Sequence, residues 1–157
     1  MSATLAYRVL IIEPAGAFLY PTIKSVEVLR DSTMLYARGF DHALCVLHSL
    51  EGIPDLTVID LDTGSRPQAL AILRALEHSD KGAVRPVIAV ARRKEDLEGF
   101  PPWVVVLPKH AAEFTSLTAA VNACLSPEKA WARSAADSLA SMARKCTAAV
   151  QGRVTLL

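Results

Sequence analysis

The side chains with the most chemical character in this sequence stand where short apolar runs end. Glu13 directly follows the run Arg8–Ile12, and Asp60 directly follows the run Leu56–Ile59. Asp62 comes two residues after Asp60, so these two side chains point to the same side if the extended backbone continues. An ionised carboxylate accepts hydrogen bonds and attracts cations. The chemistry of the chain therefore depends on whether its fold brings these acids together.

Cysteine, histidine, serine and glycine patterns point to no catalytic centre. The three cysteines are widely separated and lack the CxxC or Cys/His spacing of metal ligands. The four histidines have no neighbour at the spacing of a nucleophile dyad. The chain contains no glycine-rich phosphate loop and no GxSxG motif. The sequence therefore predicts a protein that is not an enzyme.

Five short apolar runs rich in valine and isoleucine alternate with segments of helical period. The runs are Arg8–Ile12, Thr33–Ala37, Leu56–Ile59, Pro86–Val90 and Trp103–Leu107. Buried strands of a parallel sheet have this composition, because helices cover both faces of such a sheet. The pattern predicts an α/β fold, a doubly wound five-stranded parallel sheet with the flavodoxin-like strand order 2-1-3-4-5. In that fold the carboxyl ends of the strands lie at one edge, where ligands bind.

The segments between the runs predict helices of unequal length. Apolar residues at helical spacing, or a proline suited to a first turn, predict helices over Pro21–Arg30, Phe40–Leu50, Pro67–Glu77 and Ala111–Leu125. The segment between Ala91 and Trp103 has room for barely two helical turns. The fourth helix is therefore predicted to be shortened or lost.

An extra C-terminal helix is predicted from Glu128 to Val150. It divides the chain into an α/β domain over residues 1–125 and a C-terminal helical extension over residues 126–157. An apolar stripe runs along this helix at spacings of three or four residues and includes Trp131, Leu139, Met142 and Val150. The stripe predicts a homodimer seam or an adaptor contact; the alternative is that it folds back on its own domain.

Composition and charge limit the partners of the chain. Of its 157 residues 52% are hydrophobic and 21% are charged, which is typical of a folded domain. The formal net charge of +1 creates no global field for nucleic acid or an anionic membrane, so neither is predicted as a partner. No run reaches the roughly 18 apolar residues that a membrane span needs, and no signal peptide is recognised. The predicted localisation is cytoplasmic.

The residues at the strand ends resemble those of bacterial response-regulator receiver domains. That family carries an acidic pair after strand one, a phosphoacceptor aspartate after strand three, a threonine or serine after strand four and a Lys-Pro pair after strand five. The resemblance covers residues 7–125, and its most specific piece is the run Asp55–Asp60 at the right distance from Glu13. By resemblance, Asp60 matches the phosphoacceptor and Glu13 matches the first acid of the pair.

Three family positions hold residues that cannot do the family's chemistry. Pro14 stands at the second acid, Ala91 at the hydroxyl residue and Leu107 at the lysine, whereas Pro108 matches the proline. In the family the acids hold Mg²⁺, which prefers oxygen ligands.

Any Mg²⁺ site here would depend on Glu13, Asp60 and Asp62, and only weak binding is expected. Lys109 and Arg92 are close in sequence and could supply positive charge, although their directions cannot be read from the sequence.

These observations favour a degenerate receiver, or pseudo-receiver, that acts as a protein–protein interaction module in bacterial two-component signal transduction. Its expected partner is a signalling protein such as a histidine kinase or a downstream effector. One alternative is a stand-alone response regulator that a histidine kinase phosphorylates on Asp60. A second alternative is a small-ligand or nucleotide binder on the same fold, because a fold alone fixes no function.

Overall fold

The predicted five-stranded parallel sheet is confirmed. The computed structural model describes residues 6–14, 18–50, 53–78, 85–109 and 114–125. Its strands are β1 (Arg8–Ile12), β2 (Thr33–Ala37), β3 (Leu56–Asp60), β4 (Val87–Ala91) and β5 (Val104–Pro108). All neighbouring pairs are parallel, and the order is β2-β1-β3-β4-β5. The apolar runs therefore predicted each strand to within one residue at either end.

Within the described ranges, four α-helices connect or follow the strands, and three of them agree with the sequence. They are α1 (Leu19–Lys24), α2 (Phe40–Ser49), α3 (Arg66–His78) and α4 (Phe114–Cys124). The prediction for the first helix, Pro21–Arg30, is wrong. Pro21 is the third residue of α1, where its missing N–H costs no helical hydrogen bond, so the helix begins two residues earlier.

The end of α1 also differs from the prediction. The hydroxyl of Ser25 donates a 2.6 Å hydrogen bond to the carbonyl of Thr22 at the end of the helix. Side-chain bonds of this kind compete with helical ones. The chain then forms a short 3₁₀ turn at Glu27–Leu29 instead of continuing the α-helix.

The fourth helix of the predicted pattern is lost, as expected. The connection between β4 and β5 contains only a 3₁₀ turn at Lys94–Leu97. Arg66, the first residue of α3, holds this connection: its guanidinium donates to the carbonyl of Glu98 and lies 5.1 Å from the ring centroid of Phe100. Gly99 between these two contacts has a φ of +75°, a conformation that favours glycine.

The sheet is buried between two apolar layers. One layer contains Leu10 and Ile59 and packs against α2 and α3, whereas the other contains Val9 and Val58 and packs against α1 and α4. Every residue of β3 is buried, as expected for a central strand covered on both faces. Within the described ranges, no helix is long and apolar enough to cross a membrane.

The predicted C-terminal helix lies outside the described residues. This applies to the division of the chain at residue 125 and to the four stripe residues Trp131, Leu139, Met142 and Val150.

Candidate functional site

Parallel pairing brings the carboxyl ends of the strands to one edge of the sheet. Ile12 pairs with Ile59, so Glu13 and Asp60 follow aligned positions in β1 and β3. On the other side Asp60 pairs with Val90, and Ala91 pairs with Pro108. We call Glu13, Asp60, Asp62, Arg92 and Lys109, which lie at these ends, the strand-edge site.

Glu13 is buried and bound by the backbone of α1. Only 2% of the residue is exposed. Its Oε2 accepts a 2.9 Å hydrogen bond from the N–H of Leu19, and its Oε1 accepts one of 2.9 Å from the N–H of Tyr20. The first N–H groups of a helix have no partner within the helix, and Phe18 at the N-cap offers no side-chain bond. The Glu13 carboxylate is therefore the cap of α1, a role that the sequence did not reveal.

Asp60 is buried and paired with a lysine. Its Oδ2 lies 2.5 Å from the Nζ of Lys109, and its Oδ1 accepts a 3.0 Å hydrogen bond from the N–H of Asp62. The side chains of Asp60 and Lys109 are 3% and 12% exposed, so water screens this ion pair weakly. The Nζ of Lys109 also lies 5.4 Å from the ring centroid of Phe18. The carboxylate is thus both hydrogen-bonded and charge-compensated.

Asp62 joins a second cation to this pair. Its Oδ2 lies 3.6 Å from the Nζ of Lys109 and 3.6 Å from the Nε of Arg92. Its Oδ1 accepts a 3.4 Å hydrogen bond from the N–H of Arg92. The sequence placed Asp62 on the side of Asp60 only if the strand continued, but β3 ends at Asp60 and a 3₁₀ turn over Leu61–Thr63 follows. The two carboxylates come together through this turn and share Lys109. The Arg92 side chain is 76% exposed, so its contact is the weaker of the two.

The structure corrects the assignment of Leu107 to the lysine position. Leu107 is buried in the apolar layer against α1 and α4, and the cation beside Asp60 is Lys109, two residues later. β5 extends to Pro108, so Lys109 is the first residue beyond the strand. From the sequence, Lys109 was noted only as a nearby charge. A strand β5 predicted to end at Pro108 would have indicated Lys109 as the cation at this edge of the sheet.

Ala91 and Leu107, which were matched to the family's hydroxyl and lysine positions, do not lie together. Ala91 is fully buried in the apolar layer against α2 and α3, whereas Leu107 belongs to the layer on the opposite face. Successive strand residues face opposite sides of a sheet, so the two cannot line one pocket. Pro14 is exposed and offers no carboxylate. The side chains that the structure does join are Asp60, Asp62, Lys109 and Arg92.

The donor set does not fit Mg²⁺. Both Glu13 oxygens accept backbone N–H groups, and the Nζ of Lys109 lies between Asp60 and Asp62. Mg²⁺ requires near-octahedral oxygen ligands. Among the described residues, no group of three acidic, histidine or cysteine side chains is arranged to hold a metal ion.

An open cleft of about 800 Å³ lies apart from the strand-edge site. It is lined by the end of α1, the following 3₁₀ turn and the outer strand β2, and includes Tyr20, Lys24, Arg30 and Met34. None of the strand-edge residues lines it. It therefore gives no support to a ligand site at the carboxyl ends of the strands.

Comparison with solved structures identifies the fold. A signal receiver domain of a histidine kinase from Clostridium thermocellum matches 78% of this chain and 99% of its own, at 16% identity and a TM-score of 0.56. The N-terminal domain of a response regulator/sensory box/GGDEF protein from Carboxydothermus hydrogenoformans matches 78% of this chain and 97% of its own, at 18% identity and a TM-score of 0.57. The chain has the receiver fold.

A third neighbour with the receiver fold is a longer protein. The response regulator PhyR from Brucella abortus matches 80% of this chain and 50% of its own, at 22% identity and a TM-score of 0.60. No protein-family model and no curated protein matches the chain. The resemblance drawn from the strand ends is thus confirmed at the level of the receiver fold.

Proposed function

We propose that this protein is a pseudo-receiver, a protein–protein interaction module of bacterial two-component signalling that catalyses no reaction of its own. Two features of the β4–β5 region carry the proposal. Ala91, at the end of β4, is buried and has no hydroxyl, and the following connection contains no α-helix among its described residues. A phosphoryl group on Asp60 would therefore find no hydroxyl at Ala91 and no α-helix after β4 to displace. A kinase or an effector would then recognise the surface of the β4–β5 region without a rearrangement driven by phosphorylation.

Intact-mass measurement after incubation with a small phosphodonor and Mg²⁺ tests this proposal. We expect no added mass, because phosphoryl transfer depends on a divalent cation and the donor set does not fit Mg²⁺. A gain of about 80 Da, the mass of one phosphoryl group, would contradict the proposal if it disappears in Asp60→Asn. Asp55→Asn is the matched control, since Asp55 lies at the opposite end of β3.

A stand-alone response regulator phosphorylated on Asp60 is the second candidate function. The contact between Lys109 and Asp60 favours it, because an ammonium group beside the acceptor can neutralise phosphoryl oxygens. Phosphotransfer from a cognate histidine kinase separates the two candidates. Radiolabel that reaches the wild type but not Asp60→Asn would replace the first proposal with the second.

We also propose that the stripe of Trp131, Leu139, Met142 and Val150 forms a homodimer seam. Light scattering of the whole chain tests this. We expect a dimer that Leu139→Glu with Met142→Glu converts to a monomer, because the two changes put charges into an apolar seam. Ser141→Glu, between them but off the stripe, should remain dimeric. A monomeric wild type would contradict the proposal.

A further inference from the structure

We propose that Lys109 is a tethered counter-ion that takes the place of a divalent cation in the strand-edge site. The inference starts from the mismatch between Mg²⁺ and the donor set. It concerns only the charges at this edge of the sheet, so it stands whether or not the protein acts as a pseudo-receiver.

The two cations of the strand-edge site compensate two of its three acids without an external ion. The carboxylates of Asp60 and Asp62 face the cations Lys109 and Arg92, all within 3.6 Å of a partner. Glu13, the remaining acid, is bound by two backbone N–H groups. With Glu13 counted, three acids face two cations, so a divalent cation would change the formal net charge of the site from −1 to an excess of +1, next to the buried ammonium group of Lys109. Such an excess is costly where water screens it weakly.

The position of Lys109 is fixed by its backbone as well as by its charge. Its N–H donates a 2.7 Å hydrogen bond to the carbonyl of Ala91, which continues the pairing of β4 with β5. Its Nζ then lies beside both Asp60 and Asp62 and near the ring of Phe18. A metal ion that bound Oδ2 of Asp60 would have to displace Nζ from a distance of 2.5 Å. The lysine and a metal ion therefore compete for Oδ2 of Asp60.

Mg²⁺ titration of the wild type and of Lys109→Met tests the proposal. Both proteins are titrated to about 10 mM Mg²⁺ at constant ionic strength, with thermal unfolding and calorimetry as readouts. For the wild type we expect no saturable binding heat and a change in Tm within about 1 °C. Lys109→Met should unfold about 10 °C lower, because it leaves Asp60 buried without its cation.

The same titration of Lys109→Met should show a gain of Mg²⁺ response. Mg²⁺ should raise its Tm by several degrees, because the ion compensates the carboxylate that the lysine has left. The double variant Asp60→Asn with Lys109→Met should not respond, because it lacks that carboxylate. Saturable Mg²⁺ binding by the wild type, or no response of Lys109→Met, would overturn the proposal.

Lys109→Arg keeps the test decisive if Lys109→Met does not fold. This variant retains a tethered positive charge, so it should be as insensitive to Mg²⁺ as the wild type. Binding of Mg²⁺ by Lys109→Arg or by the wild type would overturn the proposal, and no binding by either supports it.

Discussion

The Glu13 carboxylate accepts the N–H of Leu19 at 2.9 Å and so connects the end of β1 to the start of α1. The neighbouring N–H of Tyr20 binds the other carboxylate oxygen. The hydroxyl of Tyr36, in β2, donates to the carbonyl of Glu13 at 2.9 Å. One buried acid thus holds a helix and two strands at the carboxyl edge of the sheet. Its burial is explained without a metal ion.

Replacing Glu13 should destabilise the fold. Glu13→Ala leaves the N–H groups of Leu19 and Tyr20 without the acceptor that they now have. We expect the free energy of unfolding to fall by about 1–3 kcal/mol, the cost of unsatisfied buried donors. Urea unfolding measures the change. The exposed Glu27 provides the control: Glu27→Ala should change the value by less than about 0.5 kcal/mol, and equal losses would contradict the capping role.

A hydroxyl introduced at Ala91 should cost stability and should not restore a receiver switch. Ala91 is fully buried in an apolar layer, so Ala91→Thr adds volume and introduces a hydroxyl group among apolar side chains. We expect a loss of about 1–3 kcal/mol in the free energy of unfolding. Ala91→Ser, which adds less volume, should lose less. A threonine variant as stable as the wild type would show that the site has room for a hydroxyl.

The sheet could be predicted from the sequence, because each strand is buried on both faces and reads as a continuous apolar run. β3 is the clearest case, since all its residues from Leu56 to Asp60 are buried. The lost fourth helix could also be predicted, because the chain between Ala91 and Trp103 is too short for a full helix. Run length and composition are local properties of the sequence, and they were sufficient to predict the strands and the lost helix.

The partners of the strand-edge residues could not be predicted, because they depend on where each element ends. β5 extends to Pro108, so the cation falls on Lys109 and not on Leu107. Likewise α1 begins before Pro21, and only this start places the N–H of Leu19 beside Glu13. A shift of one or two residues in an element boundary changes which side chain reaches a site.

A side-chain cap at Gly39 should stabilise the protein. Gly39 is the N-cap of α2, has extended backbone and gives the helix no side-chain hydrogen bond, and a Cβ placed there meets nothing within 4 Å. Gly39→Ser should raise the free energy of unfolding by about 0.5–1 kcal/mol, because serine caps the helix and restricts the unfolded chain. Chemical denaturation measures the gain.

Gly64 provides the contrast to this cap. A Cβ at Gly64 would lie 2.8 Å from a ring carbon of Phe40 and 2.6 Å from Oε1 of Gln68, so Gly64→Ser should destabilise the protein. A loss of stability in Gly39→Ser, or no loss in Gly64→Ser, would contradict the packing described around α2.

The contacts of Arg66 with Glu98 and Phe100 should limit the motion of the β4–β5 connection. Arg66→Met removes the hydrogen bond to the Glu98 carbonyl and the guanidinium beside Phe100, but keeps an apolar side chain of similar length. We expect amide hydrogen exchange between Arg93 and Phe100 to accelerate by about tenfold or more, which corresponds to roughly 1.4 kcal/mol of local stability.

Global stability should fall much less, because Arg66 is exposed and outside the core. Arg38→Met, which changes an exposed arginine elsewhere, is the control and should leave this exchange unchanged. If amide hydrogen exchange in Arg66→Met matches that of the wild type, the connection does not depend on the Arg66 contacts for its rigidity. The binding surface proposed for a pseudo-receiver would then depend on the short 3₁₀ turn alone.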